Sequence, residues 1–187
     1  MGDKALNIPK TVPIRRRGMV CLFLYLSALL AFGFFGLSFL DSFAVASQTL
    51  EDAYYSGIEL ALGVSSLTLN SLLLSCIIVG ACGGVFTLVT AIICSASKRY
   101  TPTAAMSLAV AIGELAYAFV LSFLFPAIIS DSLDALEEAQ NLIATTWPIY
   151  VMMALLGLAL LIDIGLLVYA SFDAYASSGT KEINRSR

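Results

Sequence analysis

Between Arg17 and Lys181 the chain carries basic residues at one place only, Lys98–Arg99 in the turn SKRYTPT, and long apolar runs flank that turn on both sides. The other cations lie at the two ends: Lys4, Lys10, Arg15, Arg16 and Arg17 in front, Lys181, Arg185 and Arg187 behind. Cations beside membrane spans are retained on the cytoplasmic side, because carrying them across the bilayer is unfavourable. Three basic clusters on one side require an even number of crossings between each pair. Two crossings before Lys98 and two after it meet that condition. The expected fold is therefore all-α: an integral membrane four-helix (tetraspan) bundle with short interfacial helices in the outside loops and both termini cytoplasmic.

Composition points the same way. Of the 187 residues 59% are hydrophobic and 12% charged, where a soluble domain is about half apolar and about a quarter charged. The apolar run Gly18–Leu40 behind Arg15–Arg17 exceeds the roughly 7–15-residue core of a cleavable signal peptide, so it reads as a retained anchor helix. The acids Asp41, Glu51, Asp52, Glu59, Asp131, Asp134, Glu137 and Glu138 fall in the outside loops, which hold no Lys or Arg. With every cation on the other side, the basic stripe that nucleic acid requires is missing. The expected partners are the lipid bilayer and other membrane proteins, further copies of the chain included. Arg15, Arg16, Arg17, Lys98 and Arg99 are the groups placed to meet anionic headgroups at the membrane surface.

Four spans are expected at about 18–40, 71–96, 103–129 and 147–172, with cytoplasmic tails over 1–17 and 173–187. The first outside segment runs from Asp41 to about Asn70, and its beginning, to Gly57, reads as an interfacial helix with Tyr54 and Tyr55 at headgroup depth. Residues 57–73 are not a further span, because a fifth crossing would put Lys98 outside; they read as the protruding start of a long, tilted second helix. Gly80 and Gly84 stand in GxxxG spacing on that helix. Ala105, Ala109 and Gly113 line one face of the third, and Pro126 is placed to kink or end it. Ser130 or Asp131 can cap a short helix over 130–146. Thr146–Trp147–Pro148 opens the fourth span with a capping hydroxyl, an interfacial indole and an early proline.

Only two carboxylates lie inside the spans, Glu114 and Asp163. Counting about 1.5 Å per residue from the cytoplasmic ends, both are about 14–17 Å deep, near the bilayer centre. Ser27 and Thr87 fall at the same depth, so an intramembrane polar layer of Ser27, Thr87, Glu114 and Asp163 is expected. An ionised carboxylate there costs several kcal/mol, and the spans hold no Lys, Arg or His to neutralise it. At least one of the two acids is therefore expected to carry a proton at neutral pH. Three roles stay open for them: hydrogen bonding between helices, handling of protons or ions, and contact with a partner subunit.

No chemistry of catalysis is legible. The chain has no histidine, no HExxH, no CxxC and no GxxxxGK. Cys21, Cys76, Cys82 and Cys94 all lie in apolar runs, where free cysteine behaves as a small hydrophobe. No catalytic residue, metal site or cofactor is expected. In topology alone the chain resembles claudin-like, tetraspanin-like and fungal cortical-patch tetraspan proteins, although its outside loop lacks the Trp and paired Cys of claudins and the Cys-Cys-Gly set of tetraspanins. That resemblance implies a non-catalytic protein of the plasma membrane or an endomembrane that organises membrane domains or assemblies by lateral helix packing. The alternative is a transport component, a proton- or ion-handling or accessory subunit using Glu114 and Asp163. It rests on GELAYAF (Gly113–Phe119), which is similar to the mid-helix carboxylate segment of proteolipid subunits.

Overall fold

The computed structural model describes residues 12–13, 17–46, 53–63, 71–97, 99–125 and 142–185. Four helices in it are long and apolar enough to cross a membrane: α1 (Arg17–Leu37), α3 (Ser71–Ser97), α4 (Pro102–Phe123) and the first 25 residues, to Ser171, of α5 (Trp147–Arg185). Such a chain is an integral, multi-pass membrane protein. Helix α4 begins as its sequence dictates, with the Thr101 hydroxyl accepting from the Ala104 N–H at 3.2 Å and Pro102 in the first turn. It ends at Phe123, short of the expected 129. Pro126, outside the described residues, has no N–H with which to extend the hydrogen-bond ladder. Helix α5 stays helical to Arg185, well beyond the apolar span.

The four long helices pack in a ring in the order α1, α3, α4, α5, so that α1 lies diagonal to α4 and α3 diagonal to α5. Each turns a seam with alternating four- and three-residue spacing inward. On α1 it is Val20, Leu24, Ser27, Ala31 and Phe34; on α4 it is Ala104, Leu108, Ala111, Leu115, Ala118 and Ser122; on α5 it is Met152, Leu156, Ala159 and Asp163. This spacing is that of helices crossing at a shallow angle. Two apolar clusters result. One, around Phe34, Leu73, Ile77, Leu115, Phe125 and Met152, fills the end of the ring where α1 finishes; the other, around Leu24, Ala91, Cys94 and Leu108, fills the opposite end. Ser27, Thr87 and Asp163, all buried, lie between the two.

The loops depart from the expectation of interfacial helices. Asp41–Ala46 (β2), Ala53–Ser56 (β3) and Leu142–Thr145 (β5) form a three-stranded antiparallel sheet in the order β3-β2-β5. Phe43 pairs with Tyr55 on one side and Thr145 on the other, and Ala44 with Tyr54 and Ala144. Aromatic and β-branched residues suit a strand, and the central strand is fixed by a partner about a hundred residues away, which local patterning cannot reveal. The Thr146 hydroxyl ties the start of α5 to this sheet by donating to the Asp41 carbonyl at 2.8 Å.

Among the described residues of the loops the only short helix is α2 (Gly57–Leu62), and it is not the start of α3. Gly63 ends it in the left-handed conformation, φ 75°, which favours glycine, with its N–H donating to the Glu59 carbonyl at 3.0 Å. Of the helix expected over 130–146, residues 130–141 lie outside the described residues, and Leu142–Thr145 is strand β5 instead, drawn into the sheet by its pairing with β2. At the other end of the ring, Val12–Pro13 (β1) pairs antiparallel with Arg99–Tyr100 (β4), Val12 opposite Tyr100 and Pro13 opposite Arg99.

Candidate functional site

The polar groups at the level between the two apolar clusters are held by three helices. Asp163 follows Ala159 by one turn on the inward seam of α5 and is 0% exposed. The Thr87 hydroxyl of α3 donates to Asp163 Oδ2 at 2.7 Å. The Ser27 hydroxyl of α1 lies beside the same carboxyl and donates to the Ala159 carbonyl at 3.1 Å. Asp163 Oδ1 is buried and accepts no hydrogen bond. One further hydroxyl on this stretch of α3, that of Thr90, is bonded within its own helix to the Phe86 carbonyl at 2.9 Å. No Lys or Arg lies between Gly18 and Ser97 or between Thr101 and Ser171, and the chain has no His. The site therefore contains a carboxyl, two hydroxyls and a carbonyl without a cationic side chain.

Three of the four residues of the expected polar layer thus come together, and Glu114 does not join them. The inward position of α4 between Leu108 and Leu115 is Ala111. Glu114, one residue short of Leu115, is turned about 100° away from it. It falls seven residues after Ser107, whose hydroxyl donates to the Phe86 carbonyl of α3 at 3.0 Å, and three before Tyr117, whose hydroxyl meets that of Ser75 on α3 at 3.1 Å. Glu114 therefore lies on the α3-facing flank of α4, half-buried, with Oε2 buried and without a hydrogen bond. The two acids share a depth to within about one turn but occupy different faces of the bundle.

The glycines divide in the same way. A Cβ on Gly80 would stand 2.6 Å from Phe34 Cε1, and one on Gly84 would stand 3.0 Å from Ala31 Cβ, so both allow α3 to approach α1 closely. Gly83 does the same toward Leu115 of α4, and Gly157 of α5 toward Phe119 of α4. Neither was singled out from the sequence; in Gly83 the signal was the adjacent pair Gly83–Gly84, one for each neighbour. Ala109 and Gly113, by contrast, meet no helix: both are exposed on the outer side of α4, and a Cβ on Gly113 would find nothing within 4 Å. Neither takes part in packing within the bundle.

Of the basic surface groups, Arg15, Arg16 and Lys98 lie outside the described residues. For Arg17 and Arg99 the backbone is described, and the β1–β4 pairing brings their two segments to one end of the ring. Among the described residues no group of three or more His, Cys, Asp or Glu is placed to hold a metal ion. No protein-family model matches the chain, and a search of the curated proteins finds no significant match.

Proposed function

We propose that this chain is a non-catalytic tetraspan membrane protein that organises assemblies by lateral helix packing, with α4 as the contact helix and a second copy of the chain as the occupant. The observation that carries this reading is Glu114. Its side chain is half-buried at mid-span on the α3-facing flank of α4, with Oε2 enclosed by the bundle and without a hydrogen bond, and the part left open to lipid is expensive there until a partner meets it. Beside it runs an exposed seam, Met106, Val110, Gly113, Tyr117, Val120 and Leu124, in the four-three spacing by which helices pack side by side. Gly113 opens that seam at the depth of Glu114, and small residues are what let membrane helices approach. In a two-fold dimer the partner's equivalent carboxyl arrives at the same depth, where one protonated acid donates to the other.

The strand pairing of Val12–Pro13 with Arg99–Tyr100 supports placing the amino-terminal segment and the α3–α4 turn on one side, which the retained cations make the cytoplasmic one. The carboxyl-terminal end of α5 falls on that side too. A plasma-membrane or endomembrane setting follows from the same reading. The competing reading, a transport component in which Glu114 and Asp163 work together, has less support, because the two carboxyls lie on different faces of the bundle.

Single-molecule photobleaching of the full-length protein in native-membrane nanodiscs tests the proposal. Wild type is expected to bleach in two steps, and Gly113→Leu and Glu114→Leu in one, with thermal stability unchanged for Gly113→Leu. Two-step bleaching that survives both substitutions, or single-step bleaching of wild type, rejects α4 as a self-association surface.

A further inference from the structure

We propose that Asp163 is a proton-binding site, and that its bound proton completes the hydrogen-bond network joining α1, α3 and α5 inside the bundle. The network has a definite donor count. Thr87 has one hydroxyl hydrogen and directs it to Asp163 Oδ2 at 2.7 Å. Ser27 has one and directs it to the Ala159 carbonyl at 3.1 Å. Both available donors are then used, and Asp163 Oδ1 remains buried without one. An ionised Asp163 would leave that oxygen bare in a medium where an unpaired charge is strongly penalised. A proton on Oδ1 reverses the situation. The acid becomes neutral and a donor, and Ser27, the polar side chain that α1 buries at this level, supplies an oxygen able to accept once the two close to hydrogen-bond distance. With that contact made, the chain of bonds would run from Thr87 through Asp163 and Ser27 to the Ala159 carbonyl, and the site carries no net charge.

The surroundings offer no other way to neutralise the site. From α1 the facing group is Ser27 and from α3 it is Thr87; α4 presents Ala111 at this level and keeps Glu114 on its α3-facing flank; α5 brings no second carboxyl and no cation within its span, and its Tyr150 and Tyr169 are exposed on the outer side. A small metal cation is the rival occupant. It would need the Thr87 hydroxyl to turn its hydrogen away from Oδ2 and so give up the 2.7 Å bond, whereas a proton keeps every bond already present. The inference is independent of self-association through α4, since Asp163 lies inside one protomer.

Infrared difference spectroscopy of the full-length protein in lipid nanodiscs at pH 7 tests it through the stretching band of a protonated carboxylic C=O. The band is expected in wild type and in Glu114→Gln, shifted in heavy water, and absent in the double variant Glu114→Gln with Asp163→Asn. An asparagine offers a carbonyl to Thr87 and an N–H to Ser27, so Asp163→Asn should also keep the wild-type Tm while Asp163→Ala lowers it. If Asp163→Asn does not fold, persistence of the band in Glu114→Gln decides alone, because no other carboxyl lies within the spans. Absence of the band from wild type, its loss in Glu114→Gln, or a Tm that rises with Na+ at constant ionic strength in wild type but not in Asp163→Asn would overturn the proposal.

Discussion

Thr87 and Asp163 meet across the diagonal of the helix ring, hydroxyl to carboxylate oxygen at 2.7 Å, although α3 and α5 are not neighbours in it. Helices without a shared seam are thereby fixed to each other by one polar contact, at the level where the two apolar clusters part. Adjacent helices are set by shape, through glycines and the side chains that fill against them. Across the diagonal, hydrogen bonding sets the register.

Removing the donor while keeping the shape tests that contact. Thr87→Val leaves Oδ2 without a partner in a buried site and should lower stability by about 1–3 kcal/mol. Thr87→Ser keeps the hydroxyl and should lie much closer to wild type. Thermal unfolding in one detergent, with all three proteins compared, reads the difference. Equal stability of the valine and serine variants would show that the bond contributes nothing.

Glycines of the same sequence type should respond in opposite ways. Gly80→Ala puts a methyl 2.6 Å from the ring of Phe34, itself fully buried, and should destabilise by about 1–3 kcal/mol through overpacking. Gly113→Ala enters open space and should be neutral or stabilising by less than about 1 kcal/mol, since alanine is the better helix former. Similar unfolding temperatures for the two variants would contradict the packing described for α3 against α1.

The small helix α2 carries the pH dependence that lies outside the spans. Its capping box has the Ser56 N–H and hydroxyl both donating to Glu59 Oε2 at 2.9 Å, and the Glu59 N–H donating back to Ser56 Oγ at 3.3 Å. The backbone bond from Ser56, and after it the hydroxyl bond, hold the Glu59 carboxyl below the usual glutamate range. The folded form gives up its proton more readily than the unfolded chain, so this contribution is complete above the ordinary carboxylate range. It is lost as pH falls through the lower folded value. Amide hydrogen exchange over Gly57–Leu60, corrected for intrinsic rates, should accelerate on acidification in wild type and much less in Glu59→Gln. Ser56→Ala should open the cap at all pH values, at about 1 kcal/mol. Acid-insensitive protection in wild type would remove Glu59 from this role.

The pairing of β1 with β4 predicts a cross-link. Antiparallel partners lie about 4.5–5.5 Å apart between Cα atoms, within the span of a disulfide. With the native cysteines replaced, Val12→Cys with Tyr100→Cys should oxidise to an intramolecular bridge, as should the control pair Ala44→Cys with Tyr54→Cys in the other sheet. Val12→Cys with Ala44→Cys should not. An impermeant thiol reagent applied to intact cells should reach position 54 and not position 100. Labelling of both, or of position 100 alone, would place the cation clusters on the wrong side.

Much of the architecture is a direct consequence of the sequence. Four long apolar runs must become helices in lipid, because no water is present to satisfy their backbone groups, and the cations at Lys98–Arg99 and at the two ends are the ground for the direction proposed for those runs. Gly80 and Gly84 were recognisable as close-approach positions for the same elementary reason, the absence of a side chain. Which way each helix faces was not recognisable. In a soluble helix the polar side reveals the rotation, but in a membrane span the lipid-facing and inward-facing sides are both apolar, so the pattern carries no such signal. Glu114 and Asp163 stand at nearly the same depth, and only packing decided between them. Asp163 falls in register with Leu156 and Ala159 on the inner seam of α5, while Glu114 lies one residue off the Ala111–Leu115 seam of α4. The sheet was hidden for a related reason, since strand Asp41–Ala46 takes its second partner from Leu142–Thr145, and only the folded bundle brings those two segments together.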